Sequence, residues 1–391
     1  MIMDKHFSLT RTLLLIIGLW PYKKSKFTQL QYICIFIIFT TGIIFQFTAF
    51  ITLKCNADLI IKVFSSTFGL ICIEIKYISF YINNKAVKCL LEYLQHVHAD
   101  LKDHNEIVII EKYGSKARRY TTALITLLVS HAFVHIVIQL WPRFRDIILS
   151  INGSHQRHLY IVTEYFIDQE KYFYLLLLHM YIYYYVGLFI LLATGTFLYT
   201  YLQYTCGMLK IASYRIESAM KIYVSQNIIL QNTNLLHKSI ICAIDIQRKA
   251  IAYCELIRST FEVTFMALMG IAVITLSFNI FRVFQITSSG YNIEEFSMPY
   301  LSSISCLLYM FLANLIGQEV TDHYNYMFDS AYKIQWYLAP LHIQKLILLL
   351  IQRGNKSYGL TLGGLFVASL ECFATLLNTS ISYFIVMHST R

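Results

Sequence analysis

The sequence predicts an all-α membrane protein with seven transmembrane helices, a cytosolic N-terminus, an extracellular C-terminus and a cytosolic helical anchor bundle. Of the 391 residues, 57% are hydrophobic and 14% are charged, and the mean hydropathy is +0.55. Soluble domains are about 45–50% apolar and about 25% charged. The apolar residues lie in blocks of about 20, the length that crosses a bilayer core as a helix. With only 4 prolines and 15 glycines, the composition also excludes disordered and collagen-like proteins.

Seven apolar blocks are predicted to span the membrane. Apart from Pro299, near the start of the sixth block, they contain no proline. Each favours a helix, because the strands of an outer-membrane barrel would show alternating segments of about ten residues. The blocks are residues 31–53, 60–82, 122–141, 175–202, 260–285, 297–319 and 360–387.

The basic residues indicate how these spans are oriented. The predicted inner segments hold 23 Lys and Arg and the outer segments hold 6. Positive charge accumulates on the cytosolic side of membrane proteins, so we expect the N-terminus inside and the C-terminus outside. The formal charge of +10 then follows from topology, and nucleic-acid binding is not expected. The outer segments are 54–59, 142–174, 286–296 and 388–391.

The spans divide the chain into predicted regions. Lys5 and Arg11 precede a short apolar run without a signal-peptidase site after it, so the start is expected to be a retained cytosolic segment. The regions are 1–30, the cytosolic N-terminal segment; 31–202, helices one to four with the ligand-pocket region; 203–259, a cytosolic helical extension; 260–319, helices five and six; 320–359, the cytosolic anchor helices; 360–387, helix seven; and 388–391, an extracellular tail.

The anchor helices are predicted from spacing. Within 338–353, four aliphatic residues recur at i, i+3, i+4 and i+7, over a run too short to cross a bilayer. They are Ile343, Leu346, Ile347 and Leu350. This pattern predicts a cytosolic bundle that packs against itself or against neighbouring subunits.

One glycosylation sequon agrees with the predicted topology. Asn152 begins an Asn-Gly-Ser sequence in the second outer loop. We therefore expect Asn152 to be the glycosylated residue.

Catalytic and metal signals are weak. His98 and Asp103 match the H-x4-D spacing of some acyltransferases, but they lie in a charged segment that favours a solvated surface. His131 and His135 are one helical turn apart, and a metal site needs further ligands. Nine cysteines form no CxxC pair. No cofactor and no metal is expected.

Two charges lie inside the second predicted span. Glu74 and Lys76 are two positions apart, so they do not face one another on a helix. Intramembrane charge is costly and often functional. The simpler interpretation, which we favour from the sequence, is that Lys76 reaches towards the cytosolic interface and Glu74 finds a partner on another helix.

Aromatic and histidine side chains concentrate in the predicted outer halves of the spans. Such groups can line a mostly apolar pocket with a few polar anchors. An interfacial aromatic belt with ordinary packing explains about half of them equally well. The predicted pocket residues, chosen by position, are Phe68, His131, His135, His179, Tyr183, Tyr184, Phe281, Tyr300 and Tyr309.

The last span is rich in small and hydroxyl-bearing residues. They allow close helix packing, or they line a water-filled path that a hydrophobic constriction gates. Val386 and Ser389 lie three residues apart on one face near its end.

The sequence resembles the insect odorant receptors, and most of all the large receptor lineages of ants and their relatives. The most specific match is the final stretch GGLFVASLECFATLLNTSISYF at 363–384. Others are GLWPY at 18–22, EYFIDQEKY at 164–172, CGMLKIASYRIE at 206–217 and PLHIQK at 340–345. A proline that many members carry before the last helix is replaced here by Ser357-Tyr358, which affects only that turn.

The resemblance implies an odorant-gated, non-selective cation channel in the plasma membrane of olfactory neuron dendrites. It implies a heterotetramer in which this tuning subunit joins a shared co-receptor subunit through the cytosolic helices. A small hydrophobic odorant or pheromone would bind among the outer halves of the helices, which contact membrane lipid. Helix seven would line the pore, with Val386 at the hydrophobic gate and Ser389 at a polar pore position.

Two other functions remain as alternatives. A seven-helix G-protein-coupled receptor would need an extracellular N-terminus, against the distribution of basic residues, and the loop 142–174 has no cysteine for the usual outer-loop disulfide. A membrane acyltransferase would use His98 and Asp103.

Overall fold

The computed structural model describes residues 2–23, 25–148, 161–225, 230–290, 293–354, 359–364 and 366–390. These residues form eleven α-helices, one short 3-10 helix at Trp336–Leu338 and one two-stranded hairpin. The helices are α1 (Ile2–Ile16), α2 (Lys26–Phe47), α3 (Ala49–Thr52), α4 (Ala57–Ile82), α5 (Asn84–Asp100), α6 (His104–Ile148), α7 (Phe173–Ser225), α8 (Leu230–Ser289), α9 (Ile293–Lys333), α10 (Leu341–Gly354) and α11 (Leu370–Ser389), and the strands are β1 (Thr361–Leu362) and β2 (Phe366–Val367). The predicted all-α architecture is confirmed.

Six of the described helices are long and apolar enough to cross a bilayer. They lie within Lys26–Thr52, His104–Ile138, Phe173–Ser225, Thr233–Ser289, Glu295–Lys333 and Leu370–Ser389. The remaining predicted block, 60–82, forms α4, which is not among these six and which packs chiefly against α8 and α2. α4 contains four charged residues, of which Lys76 is buried in the bundle.

The long helices continue well beyond the predicted spans. α8 has 60 residues, which makes it about 90 Å long and far longer than the bilayer core. α7 and α9 likewise continue without a break into the segments predicted as cytosolic extensions. Each of these three helices is therefore one continuous helix that contains both a membrane span and its extension.

Residues 196–209 of α7 lie at the centre of the fold. Each of these fourteen consecutive residues is buried, because α1, α6, α8 and α9 pack around α7 on all sides. A helix enclosed on all sides has no solvent-facing polar stripe, so Thr196, Thr200 and Gln203 are buried here together with the apolar side chains.

The bundle has two halves along its axis. The half that contains the α8–α9 turn and the segment 161–172 is here called the cavity half. The half that contains α1, α5 and α10 is called the extension half. In the cavity half, the Glu164 N–H donates to the Phe45 carbonyl over 2.8 Å and so ties the 161–172 segment to α2.

The region predicted as helix 360–387 begins differently from that prediction. Its first residues form the β1–β2 hairpin, and α11 starts only at Leu370. Gly363 and Gly364 adopt φ of +59° and +66°, a left-handed backbone that glycine tolerates and that ends a helix or turns a hairpin. Ser369 then caps α11 by accepting a hydrogen bond from the Cys372 N–H at 3.1 Å.

Candidate functional site

An internal cavity of about 170 Å³ lies in the cavity half between α4, α7, α8 and α9, with α2 closing one side. Most of its walls are aliphatic and aromatic. The polar and charged residues that line it are Gln46, Lys62, Ser65, Ser66, Cys72, Lys76, Thr275, Asn279, Arg282, Glu295, Ser302, Ser305 and Cys306, with the hydroxyls of Tyr183, Tyr184 and Tyr309. An apolar pocket with a few polar groups is the usual form of a small-molecule site.

Two glycines bring α2, α4 and α7 close enough to form one wall of this cavity. A Cβ on Gly42 would lie 3.0 Å from the Tyr183 ring. A Cβ on Gly187 would lie 2.8 Å from the Ile73 Cδ1 and 3.3 Å from the Phe39 ring. Glycine at 42 therefore leaves room for the Tyr183 ring against α2, and glycine at 187 lets α7 approach α2 and α4.

One end of the cavity, its mouth, carries a network of two acids and two bases. Lys62 lies 3.0 Å from Asp58, and Arg282 lies 3.0 Å from Glu295 and 3.8 Å from Asp58. Burial alone would raise the pKa of Asp58, but hydrogen bonds from Lys62 and Gln285 and the two nearby positive charges hold it below its usual value. The network is formally neutral at pH 7.

The polar side chains along the walls bond largely to one another. The Gln46 carbonyl accepts from Ser66 at 2.8 Å and from Thr67 at 2.6 Å. The Asn279 amide donates to the carbonyls of Ser65 and Thr275, at 3.1 and 2.8 Å. These groups thereby satisfy their bonding within the wall.

The opposite end, the floor of the cavity, is formed by Lys76 and Tyr309. The Lys76 amine is 1% exposed, donates to the Tyr309 hydroxyl and lies 4.1 Å from the centre of its ring. The sequence-based expectation that Lys76 reaches towards the interface is therefore wrong, because α4 turns this side chain into the bundle. Glu74 does find a helix partner, since it accepts a hydrogen bond from Thr40 of α2 at 2.9 Å.

A second cavity of about 250 Å³ lies on the other side of Tyr309, between α6, α7, α8, α9 and α11. Its lining is mostly leucine and other apolar side chains. It extends to Asn314, Ala368 and Leu376, beside the first turn of α11. Both cavities share Leu188, Leu191 and Tyr309, so Tyr309 forms part of the partition between them.

Four of the predicted pocket residues line these cavities. Tyr183 and Tyr184 line the first, His131 lines the second, and Tyr309 lines both. The His131 ring nitrogen lies 2.9 Å from the Tyr184 hydroxyl, so this pair connects α6 with α7 between the two cavities.

The other five lie elsewhere and, within the described residues, line neither cavity. The fully buried His135 is 2.7 Å from the Tyr185 hydroxyl, and His179 is 2.8 Å from that of Tyr165. The remaining three contact other aromatic rings: Phe68 stacks on Phe278 with centroids 5.9 Å apart, Phe281 meets Phe384 edge-on at 6.2 Å, and the exposed Tyr300 stacks on Phe296 at 5.1 Å.

The predicted pocket set contains none of the polar residues that line the first cavity other than tyrosines, and three of these residues are the most instructive. Lys76 was noticed only as an intramembrane charge, although charge at that depth is itself a signal of function. Gln46 and Asn279 are isolated polar residues in apolar helices, and that contrast is the only signal that could have identified them.

α11 carries a polar face that is exposed in the single chain. Six exposed residues follow one another at helical spacing along it: Glu371, Thr375, Asn378, Ser382, Val386 and Ser389. Val386 is 56% exposed. The opposite face packs on α8, where Ser277 donates to the Ser380 carbonyl at 3.0 Å.

The remaining sequence signals have these positions. Asn152 lies outside the described residues. Asp103 accepts from the Asn105 N–H at 3.1 Å at the start of α6, and His98 lies in the last turn of α5. Across the described ranges, no group of three or more His, Cys, Asp or Glu residues is placed to hold a metal.

The fold matches solved structures of an insect receptor along its whole length. The olfactory receptor OR5 from Machilis hrabei in complex with eugenol superimposes with a TM-score of 0.77 at 17% identity, covering 99% of this chain and 98% of that one. The structure of the same receptor described without eugenol gives 0.76 at 16% identity, with the same coverage. Comparison with curated protein sequences gives no match. The family model for 7tm odorant receptors matches residues 56–381, and the chain therefore belongs to the odorant receptor family.

Proposed function

We propose that the chain is the ligand-binding subunit of an odorant-gated, non-selective cation channel that assembles with a shared co-receptor subunit into a heterotetramer. The observation that carries this proposal is the position of the cavities. The first is suited to a small molecule, and the second continues past Tyr309 to the first turn of α11. The Tyr309 side chain therefore lies between a ligand in the first cavity and the space that borders α11.

The receptor relatives support the ligand class. The Machilis hrabei receptor of the same fold is described in complex with eugenol, a small molecule. The walls of the first cavity here are mainly apolar, with polar groups at its two ends. A small hydrophobic odorant or pheromone fits this lining.

The polar face of α11 supports a pore formed between subunits. Asn378, Thr375 and Ser382 are exposed in the single chain, and polar groups of this kind are costly against lipid. Four subunits arranged around an axis would turn these faces towards a water-filled path. Val386 would then form an apolar ring near one end of the path, where a narrow apolar ring stops ion flow by dewetting.

The exposed apolar surface of the extension half supports the assembly. Leu341, Leu349 and Tyr337 each expose more than half of their side chains in and beside α10. An apolar patch on a segment predicted to lie in the cytosol is typical of a protein interface. We assign these residues to contacts between neighbouring anchor helices.

The basic residues support insertion with the N-terminus in the cytosol and the C-terminus outside, and membership of the odorant receptor family supports a location in the plasma membrane of olfactory neuron dendrites. The extension half contains most of the Lys and Arg of segments 83–121 and 203–259. A cavity in the opposite half would then face the extracellular side, from which odorants arrive. Asn152 would also lie outside, where glycosylation occurs.

The family assignment leaves no support for an enzyme, because odorant receptors are receptors and not acyltransferases. A G-protein-coupled receptor remains the competing class and differs in its topology. Protease protection of an N-terminal tag in sealed cells separates the two, since the proposed channel keeps the tag protected.

Whole-cell current recording tests the proposal directly. Cells would express this chain with and without the co-receptor and receive a panel of volatile and cuticular compounds. We expect current only when both subunits are present. The same odorant-evoked current from the co-receptor alone would contradict the proposal, with surface labelling as the control for expression.

A further inference from the structure

We propose that the pair Lys76 and Tyr309 forms an anchor for the carboxylate of a linear, medium-chain acid whose hydrocarbon tail occupies the first cavity. This inference rests on the proposed ligand-binding function and assigns the chemical class of the ligand. It starts from a charged side chain that lies at the floor of the cavity, away from the ion network at its mouth.

The Lys76 amine lacks a counter-charge. Among the described residues no carboxylate lies within salt-bridge distance of it, since Glu74 turns away to Thr40 of α2. The acids that line the cavity or its mouth are already paired, because Asp58 lies 3.0 Å from Lys62 and Glu295 lies 3.0 Å from Arg282. An unpaired ammonium that is 1% exposed carries a desolvation penalty that a bound anion relieves.

Two hydrogen-bond donors converge at this floor. An ammonium has three protons, and within the described residues Lys76 donates one of them to the Tyr309 hydroxyl. That hydroxyl has a proton of its own, for which no acceptor is present among the described residues. A carboxylate offers two oxygens and is matched by one proton from each residue, in charge-assisted hydrogen bonds.

Two amide side chains in the middle of the cavity already make hydrogen bonds to the protein. Gln46 is occupied by Ser66 and Thr67, and Asn279 by two backbone carbonyls. The middle of the cavity therefore behaves as an apolar surface, which favours a hydrocarbon tail. At the floor, Lys76 and Tyr309 together can offer two adjacent protons to one anion.

The dimensions favour a linear ligand. Lys62 at the mouth and Lys76 at the floor both line the cavity and lie fourteen residues apart on α4, which is about 21 Å along a helix. The cavity therefore has a cationic side chain near each end and a mainly apolar wall between them. A ligand with one anionic head group and an alkyl tail matches this arrangement, whereas a cationic amine would be repelled by Lys76.

The test uses ligands that differ only at the head group. Octanoic, decanoic and dodecanoic acids are compared with their methyl esters, primary alcohols and alkanes in cells that express this chain with the co-receptor. We expect the acid to act at the lowest concentration within a set of equal chain length. An equal or stronger response to the alcohol or the alkane would overturn the proposed anchor.

Three variants locate the anchor. Lys76→Met keeps an unbranched side chain only one atom shorter but removes the amine, and it should raise the half-maximal concentration for the acid about tenfold or more, with little change for the alkane. Tyr309→Phe should raise the half-maximal concentration for the acid by a smaller factor, again with little change for the alkane. Lys85→Met, at an exposed position of α5 that lines neither cavity, is the control and should keep the preference for acids. Retained acid preference in Lys76→Met would overturn the anchor.

A binding measurement separates this inference from the channel proposal. The purified chain in nanodiscs is heated with and without decanoic acid, because a ligand that binds the folded state raises Tm. A Tm rise in the wild type that is lost in Lys76→Met supports the anchor even when no current is seen, and that result would count against the channel. Currents evoked by alkanes without any preference for acids would instead keep the channel and reject the anchor.

Discussion

Glu106 of α6 and Arg215 of α7 form a bidentate ion pair in the extension half. The Arg215 Nε donates to Glu106 Oε1 at 2.6 Å and its Nη2 donates to Oε2 at 2.8 Å. Its third nitrogen, Nη1, donates to the Cys242 carbonyl of α8 at 2.9 Å. One guanidinium thus connects three long helices, with the Glu106 side chain only 7% exposed.

Arg215→Met should lower the stability of the purified chain by about 3 kcal/mol. The substitution leaves the buried Glu106 carboxylate without its partner, and an uncompensated buried charge is more costly than a lost surface pair. The measurement is thermal unfolding in detergent. Arg248→Met, at an exposed position of α8, is the matched control and should change stability by no more than about 0.5 kcal/mol. Equal decreases in Tm for both variants would contradict the role of the pair.

The sequence predicts the helices of this protein well because apolar length alone identifies a span. It predicts the site less completely, because the face that a helix turns to a cavity depends on its neighbours. Tyr183, Tyr184 and Tyr185 show this. Successive residues point about 100° apart on a helix, and these three hydroxyls meet Gln46, His131 and His135 respectively. The sequence shows that these tyrosines form a cluster, but the helices packed around α7 determine which partner each hydroxyl contacts.

Lys76 shows the same limit for charge. Its position within an apolar block is visible in the sequence, but the block alone does not say whether the amine reaches the membrane interface or the interior. The outcome depends on α9, which places Tyr309 opposite it. That residue is 233 positions away, and nothing local to α4 indicates the contact.

Gly317→Ala should destabilise the junction between α9 and the hairpin that precedes α11. A Cβ at Gly317 would clash with the Ala368 side chain and lie 2.6 Å from its carbonyl oxygen, and backbone atoms cannot move aside as a flexible side chain does. We expect a loss of about 1–3 kcal/mol, as for other overpacked sites, measured as a lower Tm.

Gly270→Ala is the control for this change. Gly270 lies inside α8, and a Cβ added there would have no neighbouring atom within 4 Å, so alanine gains helix propensity at this position without a clash. We expect a stability gain of up to about 1 kcal/mol. If both alanine variants shift Tm in the same direction, the close contact between Gly317 and Ala368 does not determine the stability of the Gly317→Ala variant.

Val386→Ala should increase the current that flows without odorant, if α11 lines the proposed pore. A smaller side chain widens the apolar ring and lowers the barrier to wetting. The measurement is basal whole-cell current with the co-receptor present, normalised to surface expression. Ile381→Ala is the matched control, because Ile381 is also exposed but points about 140° away around α11. An equal basal increase in both variants would place the gate elsewhere.

The ion network at the cavity mouth should persist under mild acidification. Hydrogen bonds and positive charges from Lys62, Gln285 and Arg282 outweigh burial and hold the pKa of Asp58 below its usual value. A depressed carboxyl pKa contributes stability that is present above the unfolded-state pKa, about 3.9, and is lost as pH falls through the folded-state value. The Tm difference between wild type and Asp58→Asn should therefore stay constant from about pH 7 to about pH 5 and shrink only below about pH 4. A difference that already shrinks between neutral pH and about pH 5 would show that burial outweighs the Lys62 and Arg282 contacts and raises the pKa of Asp58 above its usual value.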